Sequence, residues 1–191
     1  MEKQLKVTIT GVSPLVMHNG LLVDHENPYV RKIKAITAKK TNKTDADKDE
    51  LAALEWFGGL YMNEAREIIV PTLNIEGAIA EAAKKLRKGK SIKSAAFVNE
   101  DSVLDFPDKG KPMEKVYDSR KYQLRVPVVV TKSRVMRVRP LFAEWKAVFT
   151  ITYFDDLISE SDMKEILHIC GRQIGIGDFR PKYGRFEAKF N

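Results

Sequence analysis

The strongest structural signal in the sequence is an alternation of apolar with polar or smaller residues between Glu144 and Phe154. The apolar side chains at every second position are Trp145, Ala147, Phe149, Ile151 and Tyr153. Successive residues of a β-strand point to opposite faces, so this period of two places the five side chains on one face. We therefore predict a β-strand here, which Asp155 and Asp156 close.

Two other segments have apolar residues at the three- and four-residue spacing of an amphipathic helix. The first covers residues 72–87, and its apolar stripe consists of Ile75, Ala78, Ile79, Ala82, Ala83 and Leu86. The second has its stripe at Met163, Ile166, Leu167 and Cys170. Ser159 or Ser161 is its predicted N-cap, and Gly171 its predicted end.

Further β-forming segments complete the expected core at residues 5–10, 92–98 and 185–190. The resulting order of strand, helix, strand, strand, helix, strand predicts an α+β fold with a ferredoxin-like β-α-β-β-α-β core. We expect a single domain over residues 1–191. Two insertions interrupt it, a helical one over residues 15–65 and one over residues 100–140 that carries a basic β-hairpin.

The helical insertion has a predicted helix at residues 29–36, a polar loop from Lys39 to Asp45, and a second helix to Phe57 with Thr44 before it. In the other insertion, residues 124–138 are strongly β-forming. They form either one long strand or two arms of a hairpin with its turn near residues 131–133.

Composition narrows the functional classes. The chain has 191 residues, a formal net charge of +7 and one cysteine. A single cysteine excludes an internal disulfide and a thiolate metal cluster, and we expect Cys170 to be a small buried residue. No apolar run approaches the roughly 20 residues of a membrane helix, and the N-terminus lacks the apolar stretch of a signal peptide. We expect a cytoplasmic protein without membrane association, metal or cofactor.

The basic residues are clustered. Residues 82–99 and residues 119–143 contain six and seven bases and no acid, and residues 31–43 hold six more bases. Such clusters favour a surface that binds nucleic acid, another anionic surface or an acidic protein. The alternative is that folding scatters them over different faces.

The segment from Gly175 to Phe186 combines glycines, bases and aromatic residues between a predicted helix and a predicted strand. Its candidate nucleic-acid-binding residues are Gly175, Gly177, Phe179, Arg180, Lys182, Tyr183 and Arg185. Glycines let backbone N–H groups approach a phosphate, the bases supply counter-charge, and aromatic rings stack on nucleobases. The alternative is a tight connection with solvent-facing charges. Because the glycines follow a helix, the segment is not a Rossmann motif.

The β-forming insertion carries a second basic candidate set, Lys132, Arg134, Arg137 and Arg139. Strand alternation predicts Lys132 and Arg134 on one face and Arg137 and Arg139 on the other, unless a bulge intervenes. A basic hairpin can grip a phosphate backbone. A charged edge strand that resists aggregation is an equally good interpretation, and Pro140 is compatible with both.

His18 and His25 follow the opening strand and are candidate general bases for RNA cleavage. Ordinary hydrogen-bonding roles are the favoured interpretation for both. Their spacing is not that of a metal site. Asp45, Asp47 and Asp49 lack the glycine and glutamate of a calcium-binding loop and are interpreted as charges at a helix start.

Two resemblances accompany these motifs. Residues 10–19, 55–61, 133–140 and 175–186 resemble a family of phage and prophage proteins that has no assigned activity. More remotely, the element order and residues 175–186 are similar to the repeat-associated mysterious protein (RAMP) superfamily of CRISPR-associated proteins. That superfamily has ferredoxin-like folds with a glycine-rich loop between the last helix and the last strand. The resemblance implies RNA or single-stranded nucleic acid held along the sheet and loop, in some members with a basic hairpin as a thumb.

Our first hypothesis is a non-enzymatic protein that binds RNA or single-stranded DNA, with copies assembling along the strand. A metal-independent ribonuclease that uses His18 or His25 is the second. The third is a phage interaction protein that binds a host or CRISPR complex, or imitates one of its subunits, in the bacterial host cytoplasm.

Overall fold

The computed structural model describes residues 1–39, 43–130 and 132–191. The chain divides into two compact units. The first consists of residues 1–15, 62–109 and 142–191, and the second of residues 16–61 and 110–141. The second unit is thus made of two separate stretches of chain. The assignment of residues 15–65 and 100–140 as insertions into one domain stays a prediction.

The protein contains both helices and antiparallel sheets, as the sequence predicted. In chain order, the strands are β1 (Glu2–Gly11), β2 (Leu15–Val16), β3 (Ile69–Val70), β4 (Ala96–Val98), β5 (Ser102–Val103), β6 (Gln123–Val130), β7 (Ser133–Phe142), β8 (Lys146–Phe154) and β9 (Phe186–Phe190). The α-helices are α1 (Pro28–Thr37), α2 (Asp45–Gly59), α3 (Thr72–Lys85), α4 (Ile92–Ala95), α5 (Met113–Asp118) and α6 (Glu160–Ile169). None of the helices in the described part of the chain combines the length and apolar character that crossing a membrane requires.

The first unit is built on a four-stranded sheet with the order β4-β8-β1-β9, in which every neighbouring pair is antiparallel. In the central pair, Val7 lies opposite Phe149 and Ile9 opposite Ala147, and all four side chains are buried. The alternation in β8 therefore marks a buried face, as predicted. A two-stranded sheet pairs β3 with β5.

Helices α3 and α6 contact each other and bury most of the predicted apolar stripes. Leu86 is half-buried just past the end of α3, and Cys170 is buried just past the end of α6. The buried side chains are Ile75, Ala78, Ile79, Ala82 and Ala83 in α3 and Met163, Ile166 and Leu167 in α6. Of the two candidate N-caps of α6, Ser159 is the one used, because its hydroxyl accepts the N–H of Asp162 at 3.1 Å.

Two local predictions for this unit are wrong. Residues 92–98 are not one strand, since Ile92–Ala95 form a helical turn and only Ala96–Val98 pair with β8. Gly171 does not end the helix after Ile169, because the chain continues as a π-helical turn over Cys170–Ile174. Gly171 is instead a packing residue, since a Cβ there would lie 2.2 Å from the Phe186 carbonyl oxygen.

The second unit contains α1, α2, α5 and the sheet in which β7 lies between β2 and β6. Helix α2 begins at a capping box, in which the Thr44 hydroxyl accepts the Asp47 N–H and the Asp47 carboxylate accepts the Thr44 N–H. The fully buried Trp56 donates its indole N–H to the Tyr122 carbonyl at 2.7 Å. This bond fixes α2 against the segment that leads into β6.

The hairpin alternative for residues 124–138 is confirmed, because β6 and β7 pair from Gln123–Pro140 to Val130–Ser133. Thr131 of the predicted turn lies outside the described residues, as do Lys40, Thr41 and Asn42 of the predicted polar loop.

Candidate nucleic-acid interface

The glycine-rich loop between Gly175 and Phe186 has a base with no space for side chains. Gly175, Gly177 and Gly184 have φ angles of +75°, +81° and +72°, in the left-handed region that glycine enters without strain. A Cβ at Gly184 would lie 1.7 Å from the Ile176 carbonyl oxygen. Ile176 N–H donates to the Gly184 carbonyl at 2.9 Å, and Gly184 N–H donates to the Pro14 carbonyl at 2.8 Å. The base of the loop is therefore fixed from both sides by backbone contacts.

The tip of the loop presents an aromatic pair. Phe179 has a φ of +55°, which is unusual for a bulky residue. The Asp178 carboxylate supports this conformation by accepting the Phe179 N–H at 3.0 Å, and Tyr183 N–H donates to the Phe179 carbonyl at 3.3 Å. The two ring centroids lie 6.3 Å apart, and Phe179 is 37% exposed. Two neighbouring rings at an exposed tip form a surface on which nucleobases can stack.

The three cations of the loop have different surroundings. Arg180 Nη1 lies 3.4 Å from the Gly175 carbonyl and 3.6 Å from Glu81 Oε2, so this guanidinium bridges the loop to α3. Lys182 is exposed, and its ammonium lies 5.7 Å from the Tyr183 ring centroid. Arg185 has an exposed side chain, while its backbone N–H donates to Ser13 Oγ at 2.9 Å. Lys182 and Arg185 therefore both present charge to solvent, and the backbone of Arg185 is fixed to Ser13.

Beside the loop lies a polar cavity of about 360 Å³. Its walls include Glu81 of α3 and Gln173 of the π-helical turn, in addition to Asp178, Phe179 and Arg180 of the loop. Glu81 and Gln173 are not among the site residues predicted from the sequence. No motif marks them, because they join the loop only through the packing of α3 and the turn.

The β6–β7 hairpin keeps one continuous register without a bulge. Lys132 lies in the connection between the strands, with a φ of +70°, and not within a strand face as predicted. Arg134 and Arg137 are on opposite faces, as the alternation predicted. Pro140 is buried, and its carbonyl accepts the Met17 N–H at 3.0 Å, so this end of β7 is not a free edge.

One face of the hairpin mixes arginines with exposed apolar side chains. Val129 pairs with Arg134, and the same face carries Met136 and Arg125. Val129 is 69% exposed, Met136 is 60% exposed, and both arginines are exposed. Of these four residues, only Arg134 is among the candidates predicted from the sequence, because the charge pattern does not show which hairpin face remains exposed.

The opposite face of the hairpin carries half-buried arginines. Arg137 forms an ion pair with the buried Glu55 of α2, and Glu55 Oε2 also accepts the Val138 N–H at 2.8 Å. Arg139 is half-buried on the same face. Arg137 thus anchors β7 to α2, whereas Arg134 has its side chain in solvent.

The loop residues belong to the first unit and the hairpin residues to the second. A joint surface formed by the two sets stays a prediction.

The histidine candidates have ordinary surroundings. Nδ1 of the exposed His25 lies 2.8 Å from Lys34 Nζ, so this nitrogen accepts a hydrogen bond from the ammonium. His18 is half-buried, and its carbonyl accepts the Tyr61 hydroxyl at 3.0 Å. Within residues 1–39, 43–130 and 132–191, no three His, Cys, Asp or Glu side chains are grouped as metal ligands would be.

No protein-family model matches the chain, and no curated protein matches its sequence. The fold is similar to a chain in the cryo-EM structure of the Type III-B Cmr-beta bound to cognate target RNA, with a TM-score of 0.52 and 12% identity. That match covers 100% of this chain and 60% of the other, so this chain spans less than two thirds of the length of the Cmr-beta chain.

Two further structures match with lower scores. The crystal structure of Cmr6 from Pyrococcus furiosus has a TM-score of 0.38 and 9% identity, over 97% of this chain and 98% of that one. The crystal structure of the Csm1-Csm4 cassette in complex with AMPPNP has a TM-score of 0.29 and 12% identity. That match covers 99% of this chain and 70% of the other. The Cmr-beta match shows similarity at the level of the fold.

Proposed function

We propose that this protein binds RNA or single-stranded DNA without cleaving it, through the loop from Gly175 to Phe186. The observation that carries the proposal is the contrast between the fixed base of the loop and its exposed tip. A Cβ at Gly184 has no space, whereas Phe179, Lys182 and Arg185 are exposed. A preorganised loop loses little conformational entropy on binding, and this favours affinity.

The chemistry of the tip suits a single strand. Stacking of a nucleobase on an aromatic ring contributes about 1–3 kcal/mol and tolerates any base. Phe179 and Tyr183 supply the rings, and Lys182 and Arg185 the counter-charges for phosphates. In a duplex the base faces are stacked on each other, so this arrangement favours an unpaired strand.

The hairpin is the proposed second contact. Arg125 and Arg134 would neutralise phosphates, while Val129 and Met136 would pack against bases or sugars. Arg137 has a different role in this proposal, since its charge is already compensated by Glu55. Lys132 and Arg139 remain candidates at the hairpin connection and on the half-buried face.

We further propose that the core is ferredoxin-like and that the protein acts in a CRISPR-type RNA complex. The elements β1, α3, β4, β8, α6 and β9 follow the β-α-β-β-α-β order, and the antiparallel order β4-β8-β1-β9 suits that topology. The related fold in Cmr-beta belongs to a structure bound to cognate target RNA. Assembly of copies along a strand stays a prediction. So does a phage protein that binds such a complex or imitates one of its subunits.

The test is fluorescence anisotropy with a labelled single-stranded RNA, with the matching DNA in parallel. Wild type should bind, and four phosphate contacts should make affinity fall by about 50-fold between about 50 and 200 mM salt. The double variant Lys182→Ala, Arg185→Ala should weaken binding by about tenfold or more. The control Lys109→Ala, Lys115→Ala removes the same charge from exposed sites outside the loop and hairpin. Equal losses in both variants, or no binding at low salt, would rule out the loop as the site.

A further inference from the structure

The polar cavity beside the loop has functional groups that phosphate binding does not require. It measures about 360 Å³ and is lined by Glu81, Gln173, Asp178, Phe179 and Arg180, among others. Carboxylates repel phosphates, so a site that served only the nucleic-acid backbone would not gain from them. Beside an exposed aromatic residue, these carboxylates can also accept hydrogen bonds from a ligand group that has donors.

The Glu81 carboxylate is the best-placed acceptor. It belongs to α3, whose opposite side is buried against the core, so its position does not depend on the loop. Arg180 Nη1 lies 3.6 Å from Oε2, which is beyond hydrogen-bond distance. The guanidinium therefore compensates the charge of Glu81 and does not occupy its lone pairs.

Guanine has the edge that matches this carboxylate. Its N1–H and N2–H groups are adjacent donors that a carboxylate can accept together, as a charge-assisted pair. Adenine and cytosine offer one amino group beside a ring acceptor, and uracil offers one N–H between two carbonyls. Each of these bases would place an acceptor against a carboxylate oxygen, which is repulsive.

The remaining walls suit the rest of a purine. Phe179 is 37% exposed and lines the cavity, so its ring offers a stacking surface. Arg180 and the side-chain amide of Gln173 are donors that can face the guanine acceptors O6 and N7. The Asp178 carboxylate accepts the Phe179 backbone N–H at 3.0 Å and so supports the backbone of the stacking residue.

We propose that this cavity is a guanine-selective base pocket, in which Glu81 reads the Watson–Crick edge and Phe179 stacks on the ring. The inference rests on the proposed single-strand binding and adds base selectivity to it. It assigns Glu81 as a specificity-determining residue.

The test uses seven-nucleotide RNAs with one variable nucleotide in a uridine background, measured by competition against a labelled strand. Wild type should prefer the guanosine RNA by about tenfold over the other three. Glu81→Gln should abolish this preference. It should leave affinity for the adenosine, cytidine and uridine RNAs unchanged or slightly raised, because a negative charge has been removed.

The control Glu144→Gln removes a charge from an exposed site outside the cavity, and should keep the guanosine preference. Circular dichroism and thermal unfolding verify that both variants are folded. Equal affinity of wild type for all four RNAs would overturn the base pocket and leave the proposed function intact. A preference that survives Glu81→Gln would overturn the role of Glu81. If no RNA binds, the proposed function fails and the pocket assignment with it.

Discussion

The guanidinium of Arg137 pairs with the buried carboxylate of Glu55, 82 residues earlier in the chain. The same carboxylate accepts the Val138 N–H at 2.8 Å, so it holds both a side chain and the backbone of β7. Glu55 belongs to α2, and this pair therefore fixes the hairpin to the helix within the second unit. The strand carries an anchoring arginine on one face and the exposed Arg134 on the other.

Replacing Glu55 with alanine should destabilise the protein by about 3–5 kcal/mol, because it leaves a partly buried guanidinium and a backbone N–H without their acceptor. Denaturant unfolding followed by circular dichroism measures this loss. Arg134→Ala is the control and should change stability by less than about 0.5 kcal/mol, since that side chain is exposed. Comparable losses in the two variants would contradict the anchoring role of Glu55.

Arg134→Ala should instead affect binding. We expect weaker affinity for single-stranded RNA. The slope of the logarithm of affinity against the logarithm of salt concentration should also become shallower by about one, as for loss of one phosphate contact. Titrations at several salt concentrations provide the slope. Arg66→Ala, which removes an exposed charge outside the loop and hairpin, should leave the slope unchanged. An unchanged slope in Arg134→Ala would remove this residue from the interface.

The close backbone packing at the base of the glycine-rich loop leads to a prediction about stability. Gly184→Ala should destabilise by at least about 1 kcal/mol, because its φ is +72° and the new Cβ would lie 1.7 Å from the Ile176 carbonyl oxygen. The control is Gly77→Ala in α3, where a Cβ meets nothing within 4 Å. That variant should gain about 0.5–1 kcal/mol, since alanine favours a helix interior over glycine. Thermal or denaturant unfolding should show changes in unfolding free energy of opposite sign for the two variants. An unchanged stability of Gly184→Ala would show that the loop base is not fixed.

The sequence predicted those strands and helices whose apolar residues repeat at a short, regular spacing. The alternation from Trp145 to Tyr153 identified β8, and the apolar stripes identified α3 and α6. It could not predict the end of the second helix, because the π-helical turn places Gly171 under Phe186, a contact between distant residues.

For the candidate site as well, the sequence predicted one part and not another. Glycines, bases and aromatic residues within one segment indicated the loop, and the structure shows how Gly175 and Gly184 shape its base. The roles of individual cations could not be predicted from charge alone. Arg180 faces Glu81 and Arg137 faces Glu55, and both carboxylates come from helices far away in the sequence.

The buried thiol of Cys170 provides a chemical test of the core. Burial raises the pKa of this thiol to about 12, because an apolar environment disfavours the thiolate. The native protein at pH 8 should therefore react with Ellman's reagent many times more slowly than a free cysteine, since both thiolate population and access are low. In denaturant the same single thiol should react fully and at once. Absorbance at the wavelength of the released thiolate follows both reactions. Rapid labelling of the folded protein would contradict the burial of Cys170 at the start of the π-helical turn.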